Sequence, residues 1–364
     1  MNYPLSVIVL FSFVMESAGQ QLKKEIQFSQ HKFIPCYNLK KAGNTTVFQG
    51  NKKKKNYFEG WYFKMVGENG EEILSVIPGI SLSKDGNEKT AFIQVINGKT
   101  AETKYFTFSI DEFYFSKKEF AIRIGDNYFS KDSISLNIIQ DESVISGTVH
   151  MNGLTKYRSK RLTNPGIMGW YRFVPFMECY HGVVSLTHDL KGSITMNSEA
   201  FDFNNGKGYI EKDWGSSMPS SWVWIQSNHF QNDSSSFMLS IANIPWLGKS
   251  FNGFLGFFYH EGDIHHFATY RSTKMDVAFS DSNDANIRIK NRKYLFEITA
   301  RSSNSGLLQA PVEGTMDRRI AESIDSRLEI VMKNKKGEII YTDSTDITGL
   351  EMVGMYKSLQ GRLK

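Results

Sequence analysis

Short apolar stretches closed off by tight-turn dipeptides recur along most of this chain, and that rhythm restricts it to an antiparallel β architecture. Ala91–Asn97, Lys104–Ile110, Glu119–Ile124, Ser133–Ile139 and Val144–His150 are rich in β-branched and aromatic residues. Several alternate, as strands do with one buried and one wet face. Trp222–Phe230, Phe237–Asn243, Gly253–His260, Ile264–Tyr270 and Lys293–Arg301 repeat the style. Asn69-Gly70, Asp85-Gly86, Asn97-Gly98, Asp126-Asn127, Asn205-Gly206 and Lys336-Gly337 separate the runs as turns. No capped helical pattern exceeds about three turns. An aromatic content of 13% also favours strands and apolar cavities over long helices. The expectation is an all-β chain, built as an antiparallel barrel or sandwich.

A chain of 364 residues has room for two domains. The best break is Arg161–Met177, where Asn164-Pro165-Gly166 and then Pro175 interrupt regular structure. This predicts one unit over 48–165 and a second over 166–364, after an extension over 20–47. Tyr57-Phe58-Glu59-Gly60-Trp61 and Tyr209-Ile210-Glu211-Lys212-Asp213-Trp214 echo each other, as two related barrels would. At the N-terminus, Tyr3–Met15 is apolar and too short to span a bilayer comfortably. Ser17-Ala18-Gly19 suits cleavage before Gln20, but the segment lacks a leading Lys or Arg. Residues 1–19 therefore read as a signal peptide or as an unrelated extension. The first reading predicts secretion or an endomembrane lumen, the second the cytoplasm. Sequons at Asn44 and Asn232 are compatible with secretion and add little to it.

Several chemistries drop out. The formal charge is +5, and Lys52–Lys55 supply most of it. Nucleic acid is not an expected partner, since its binders carry a wider basic footprint. Lys52–Lys55 read as a solvated loop before an anionic-surface contact. Two cysteines, Cys36 and Cys179, support neither a disulfide scaffold nor a multi-Cys zinc site, and their pairing stays open. There is no phosphate-cradling glycine loop and no G-x-S-x-G elbow. His260, His265 and His266 flank Glu261-Gly262-Asp263, which reads as a hairpin tip, so no metal is expected.

Two segments mix ionisable groups into aromatic sequence: Tyr57–Lys64 (YFEGWYFK) and Gly208–Phe230 (GYIEKDWGSSMPSSWVWIQSNHF). Met177–His188 (MECYHGVVSLTH) is a third. Glu59, Glu178 and Glu211 are the acids most enclosed by aromatic residues. The first two segments, with Asn164-Pro165-Gly166 ahead of Gly169-Trp170, resemble the tocopherol cyclase-like family from about Gln49 onward. The Tyr-x-Glu-Lys-Asp-Trp-Gly stretch is more distantly similar to carotenoid hydratases and related paired-lipocalin enzymes. The resemblance implies two consecutive lipocalin-like antiparallel β-barrels packed together. It also implies ring closure on a prenylated quinol, with an acid at Glu211 protonating a double bond. The short apolar N-terminus departs from the plastid-targeting extension of plant cyclases, so the substrate does not carry over with the fold.

The chemistry suits these residues. An alkene is a poor base, so its acid must stay protonated in a dry pocket, and burial raises a carboxyl pKa. Glu211 is the first choice. Trp214, Trp222 and Trp224 are candidates to stabilise the cation, by roughly 0.5–2 kcal/mol each. Asp213 or His229 would accept the phenolic proton. Gln226, Glu59, Trp61, Glu178 and His181 complete the expected substrate wall. Plain structural roles compete: Glu59 reads first as fastening the barrel start, and His181, His188 and His229 as satisfied histidines near a cavity. The reaction needs no cofactor. The expected partner is a hydrophobic small molecule, with transient contact to a membrane surface. A non-catalytic carrier and an isoprenoid hydratase are the rival readings.

Overall fold

The computed structural model describes Tyr37, Lys41 and residues 43–140, 142–157, 166–174, 177–246, 248–282, 284–303 and 305–363. The expected signal segment 1–19, Cys36, Asn164, Pro165 and Pro175 lie outside these residues. No helix among the described residues is long and apolar enough to cross a membrane.

The described residues are nearly all β and form two antiparallel sheets. The first begins with β1 (Tyr57–Val66), β2 (Ile73–Leu82), β3 (Lys89–Asn97), β4 (Thr103–Ser109), β5 (Phe113–Phe115) and β6 (Ala121–Ile124). It continues through β7 (Asn127–Ser130), β8 (Ser133–Gln140), β9 (Ser143–Asn152), β10 (Cys179–Met196), β11 (Glu199–Asp202) and β12 (Lys207–Gly215). The second holds β13 (Trp222–Ser227), β14 (Ser235–Trp246), β15 (Lys249–His260), β16 (Asp263–Ala268), β17 (Lys274–Phe279) and β18 (Ala285–Lys290). It ends with β19 (Tyr294–Arg301), β20 (Gly306–Val312), β21 (Thr315–Asn334), β22 (Ile339–Val353) and β23 (Gly361–Leu363). The ten strands expected from the sequence all appear, with ends shifted by a few residues. The histidine-flanked tip is a two-residue turn between β15 and β16, with Glu261 and Gly262 at φ 47° and 90°, the left-handed pair that such a hairpin requires.

The first sheet runs β4-β3-β2-β1-β12-β10-β9-β8-β7-β6-β5, and β11 pairs with β10. It curls over its own core. Phe63 on β1 meets Phe129 on β7 at 6.1 Å between ring centroids, although four strands separate them in the sheet. Trp61 stacks on Phe120 at 5.4 Å. The second sheet runs β16-β15-β14-β13-β22-β21-β19-β18-β17-β23, and β20 pairs with β21. Phe267 on β16 meets Phe296 on β19 at 4.8 Å across it. Each curled sheet thus encloses an aromatic and aliphatic core. A third core joins them, made by Tyr62, Tyr209, Trp222, Trp224, Phe257, Ile320 and their neighbours.

Two expectations are corrected. The change of sheet falls between Gly215 and Trp222, not at 165/166. β10–β12, which follow the Gly/Pro-rich stretch, belong to the first sheet, where β12 lies between β1 and β10. The echo of Glu59 and Glu211 does not mark equivalent places in two barrels either. β1 and β12 are adjacent in one sheet, with Tyr62 opposite Glu211 and Glu59 opposite Trp214. The two segments are alike because both strands are buried on two faces, one toward the sheet's core and one toward the other sheet.

Candidate active site

Strand alternation assigns the faces. On β12, Ile210 and Trp214 belong to the core of the first sheet, and Tyr209 to the core between the sheets. Glu211 and Asp213 follow Tyr209 at steps of two, so they face the second sheet as well. On β13, Val223 and Ile225 point into the second sheet's core, and Trp222 and Trp224 share the opposite face. Between these faces lies a cavity of about 180 Å³. Tyr62, His181, Glu211 and Asp213 line it from one sheet, and Trp222, Trp224, Glu322 and Glu351 from the other. The cavity lies between the sheets, and the space that each sheet curls over is filled with side chains.

Glu211 is buried and accepts hydrogen bonds from the Tyr209 hydroxyl at 2.7 Å and from Trp224 Nε1 at 3.2 Å. Burial raises its pKa from 4.5 to about 7, with the Asp213 charge adding and His181 opposing. His181 stands opposite Asp213 on the neighbouring β10. Its Nδ1 lies 2.8 Å from Asp213 Oδ1, and its Nε2 lies 3.5 Å from Glu211 Oε2. Burial pulls the imidazole down, but the charges of Asp213 and Glu211 win and lift it to about 9. The ring thus lies between two carboxyl groups, in hydrogen-bond contact with Asp213 and at a longer distance from Glu211. The ligand atoms of His181, Glu211 and Asp213 lie within 4.8 Å of one another, a set that can hold a divalent ion. Cys179 borders the same site, and burial drives its thiol well above the ordinary range.

Two further acids, missed in the sequence, complete the wall. Glu322 on β21 and Glu351 on β22 are directly opposite in the ladder. Glu322 accepts from the Tyr62 hydroxyl at 2.6 Å, and that oxygen accepts from Ser75 Oγ at 2.9 Å. Glu351 accepts from the Trp222 indole N–H. Burial, then the charge of Glu351, holds Glu322 well above the carboxyl range, and burial lifts Glu351 to about 7. The available signal was alternation: Ile320, Glu322 and Ile324 fall at steps of two, with the acid between two residues of an apolar face.

The other expected site residues divide. Glu178 lines the cavity, and burial raises its carboxyl. Glu59, Trp61, Trp214, Gln226 and His229 are not on its wall. Glu59 faces the first sheet's core and pairs with the buried Lys212 at 2.5 Å. It also accepts from the amides of Gln49 and Gly50 at 2.9 Å each, so it fastens the segment that enters β1. Lys212 lies over the rings of Trp61 and Trp214 at 4.8 and 4.9 Å. Gln226 shares the face of Trp224 but lies one step further along, and His229 is past the end of β13. His229 Nδ1 meets Asn228 Oδ1 at 3.1 Å, and burial depresses its pKa well below the usual value.

Fold and site together define an all-β protein of two curled sheets with an acid- and tryptophan-lined cavity between them. The tocopherol cyclase-like family model matches residues 114–354. The chain belongs to the tocopherol cyclase-like family. The match includes Glu211, Glu322 and Glu351 and leaves out the Tyr57–Lys64 segment. A rice protein (Oryza sativa subsp. japonica), named "Probable tocopherol cyclase, chloroplastic", is 24% identical across 82% of this chain and 75% of its own length. The maize (Zea mays) "Tocopherol cyclase, chloroplastic" is 29% identical across 54% of this chain and 43% of its own. Among solved structures, CghA bound to Sch210972 is similar with TM-score 0.49 and 8% identity, over 82% of this chain and 89% of that one. Kievitone hydratase from Nectria haematococca is similar with TM-score 0.46 and 10% identity, over 85% and 94%.

Proposed function

We propose that this protein is an acid-catalysed cyclase that closes a ring on a prenylated phenol or quinol in the cavity between its sheets. The observation that carries the reading is Glu211: a buried carboxyl, raised to about 7, on a cavity wall beside Trp224. A carboxyl so raised keeps a proton near neutral pH and has apolar surroundings in which to deliver it. Glu211 gives its proton to one alkene carbon, and the tertiary cation forms at the other. The faces of Trp222 and Trp224 stabilise that cation by roughly 0.5–2 kcal/mol each. The phenol oxygen bonds to the cationic carbon and its proton passes to Asp213. His181 links Asp213 to Glu211, which supplies a route to restore the acid. Atoms balance without a co-reactant, and the product is an isomer of the substrate.

The cavity is of the order of an engineered void of roughly 150 Å³ that holds one benzene. The ring and the reacting isoprene unit therefore sit inside, with the tail along Met168, Met177, Ile244 and Leu255, which also line it. Trp170 and Phe173 are half exposed on the 3-10 turn Gly169–Phe173, which follows the cavity-lining Met168 in the chain. Lys41, Lys53 and Arg172 line the adjoining groove with Phe173. Such a mix of aromatic and cationic groups suits transient contact with an anionic membrane surface that holds the substrate.

The test is incubation of the purified protein with a panel of prenylated quinols, followed by mass and retention analysis. A product of unchanged mass and altered retention supports cyclisation. A gain of one water identifies a hydratase, and unaltered substrate that co-purifies tightly identifies a carrier. Glu211→Gln is expected to abolish turnover while ligand affinity is retained.

A further inference from the structure

The cavity wall carries more acid than proton delivery alone requires. We propose that Glu322 and Glu351 form a hydroxyl-binding pair, which holds the polar end of an uncharged, hydroxyl-bearing ligand and turns carboxylate lipids away. The proposal rests on the reading of this cavity as a substrate site, and it assigns the part of the ligand that does not react.

Geometry supports it first. Glu322 is 1% exposed, lines the cavity and uses only one oxygen, Oε1, to accept from Tyr62. Its Oε2 is buried and meets no other donor than the carboxyl of Glu351, with which it shares a hydrogen bond. Glu351 stands across the ladder and is steadied by the Trp222 indole. Two carboxyl groups this close in a dry wall cannot both ionise, so one retains its proton. That proton lies between the two carboxyls; a ligand hydroxyl that inserts there accepts from the acid and donates to the carboxylate. A hydroxyl group can do both, whereas a carboxylate can only accept.

Charge supports it second. Glu178, Glu211 and Asp213 line the same cavity, and no lysine or arginine is on its wall among the described residues. The one basic side chain on the wall among the described residues, His181, already lies between Asp213 and Glu211. Lys64 is buried behind the wall, donates to the Ile347 carbonyl at 3.2 Å and does not line the cavity. A fatty acid would therefore bring a further negative charge into a wall with no free cation to meet it, and such a buried charge is disfavoured.

Equilibrium binding separates the possibilities, using geranylated hydroquinone, its dimethyl ether and a fatty acid of matched length. The wild-type protein is expected to bind the hydroquinone about tenfold more tightly than the ether, the loss that follows when one strong hydrogen bond is removed. The fatty acid is expected to bind more weakly still. Glu322→Met should erase the preference for hydroxyl over ether. The double variant Glu322→Gln with Glu351→Gln keeps hydrogen-bonding groups but removes charge, so it should keep part of that preference and admit the fatty acid. Equal binding of hydroquinone and ether by the wild type would overturn the proposal, as would fatty acid binding as tight as that of the hydroquinone. Selective binding with the hydroquinone recovered unchanged would sink the cyclase reading and leave the pair standing. Cyclised product together with equal binding of the ether would do the reverse.

Discussion

Glu211 draws its chemistry from burial, and its titration is therefore visible in two independent measurements. If it delivers a proton, turnover should fall as pH rises through about 7, where its carboxyl ionises. A rate that stays level across that range would remove Glu211 as the donor. The same shift enters stability. The folded state raises this carboxyl from 4.5 to about 7, so between those values it binds more protons than the unfolded chain. Its contribution is then fully present below 4.5 and is lost as pH rises through about 7. Urea midpoints measured across that window should decline with pH in the wild type, and Glu211→Gln should flatten part of the decline. His181 moves the same way in a later window, since its folded value is raised from 6.5 to about 9. The placement of these residues around one cavity was partly legible in advance. Glu211, Asp213, Trp222 and Trp224 lie close in sequence on two consecutive strands, so local alternation was enough to group them. Glu322 and Glu351 were not grouped, because a long β21–β22 hairpin brings them together and neither has an aromatic neighbour in sequence to mark it.

At the scale of strands, one element can serve two purposes on its two faces. On β1, Gly60 and Tyr62 line the cavity while Glu59 and Trp61 point the other way. The sequence presents the acid and the aromatics but not the face each takes: it places Trp61 on the expected substrate wall and leaves Glu59 between that wall and fastening the barrel start, and the structure gives Glu59 the second role. The structure makes a separating prediction. Glu59→Gln removes the charge opposite the buried Lys212 and leaves a cation enclosed by Trp61 and Trp214. The expected loss is about 3–5 kcal/mol of unfolding free energy, read from denaturant midpoints. The activity of the molecules that remain folded should be unchanged; lost activity in a stable, folded variant would return Glu59 to the site. Gly349 on β22 tests the opposite face. A Cβ there would lie 2.6 Å from Cζ3 of Trp224, the ring that donates to Glu211. Gly349→Ala should therefore shift Trp224, lowering turnover more than stability, and an unaltered rate would show that the indole has room to yield.

At the scale of the whole molecule, the decisive fact is that the cavity belongs to neither sheet. Each sheet has its own core, whereas the cavity wall is drawn from both and continues the third core between them. The junction is held at several points: Ser216 and Ser217 amides donate to Glu178 O, Met218 N to Pro311 O, and Gly314 N to Ser216 O. Cutting the chain between Gly215 and Trp222 should therefore leave the two parts associated, because the buried apolar face rather than the peptide link joins them. A ligand in the cavity touches both walls and binds only the assembled state. It should raise the denaturant needed to separate the cut halves by its linkage energy, about 2.7 kcal/mol when present at a hundred times its dissociation constant. Size-exclusion chromatography of the nicked protein across a denaturant series, with and without a prenylated hydroquinone, reads this directly. Each half alone should bind none of it. Binding by an isolated half, or separation at the same denaturant with and without ligand, would mean that the ligand sits inside one curled sheet, and the acids grouped between the sheets would then need another role.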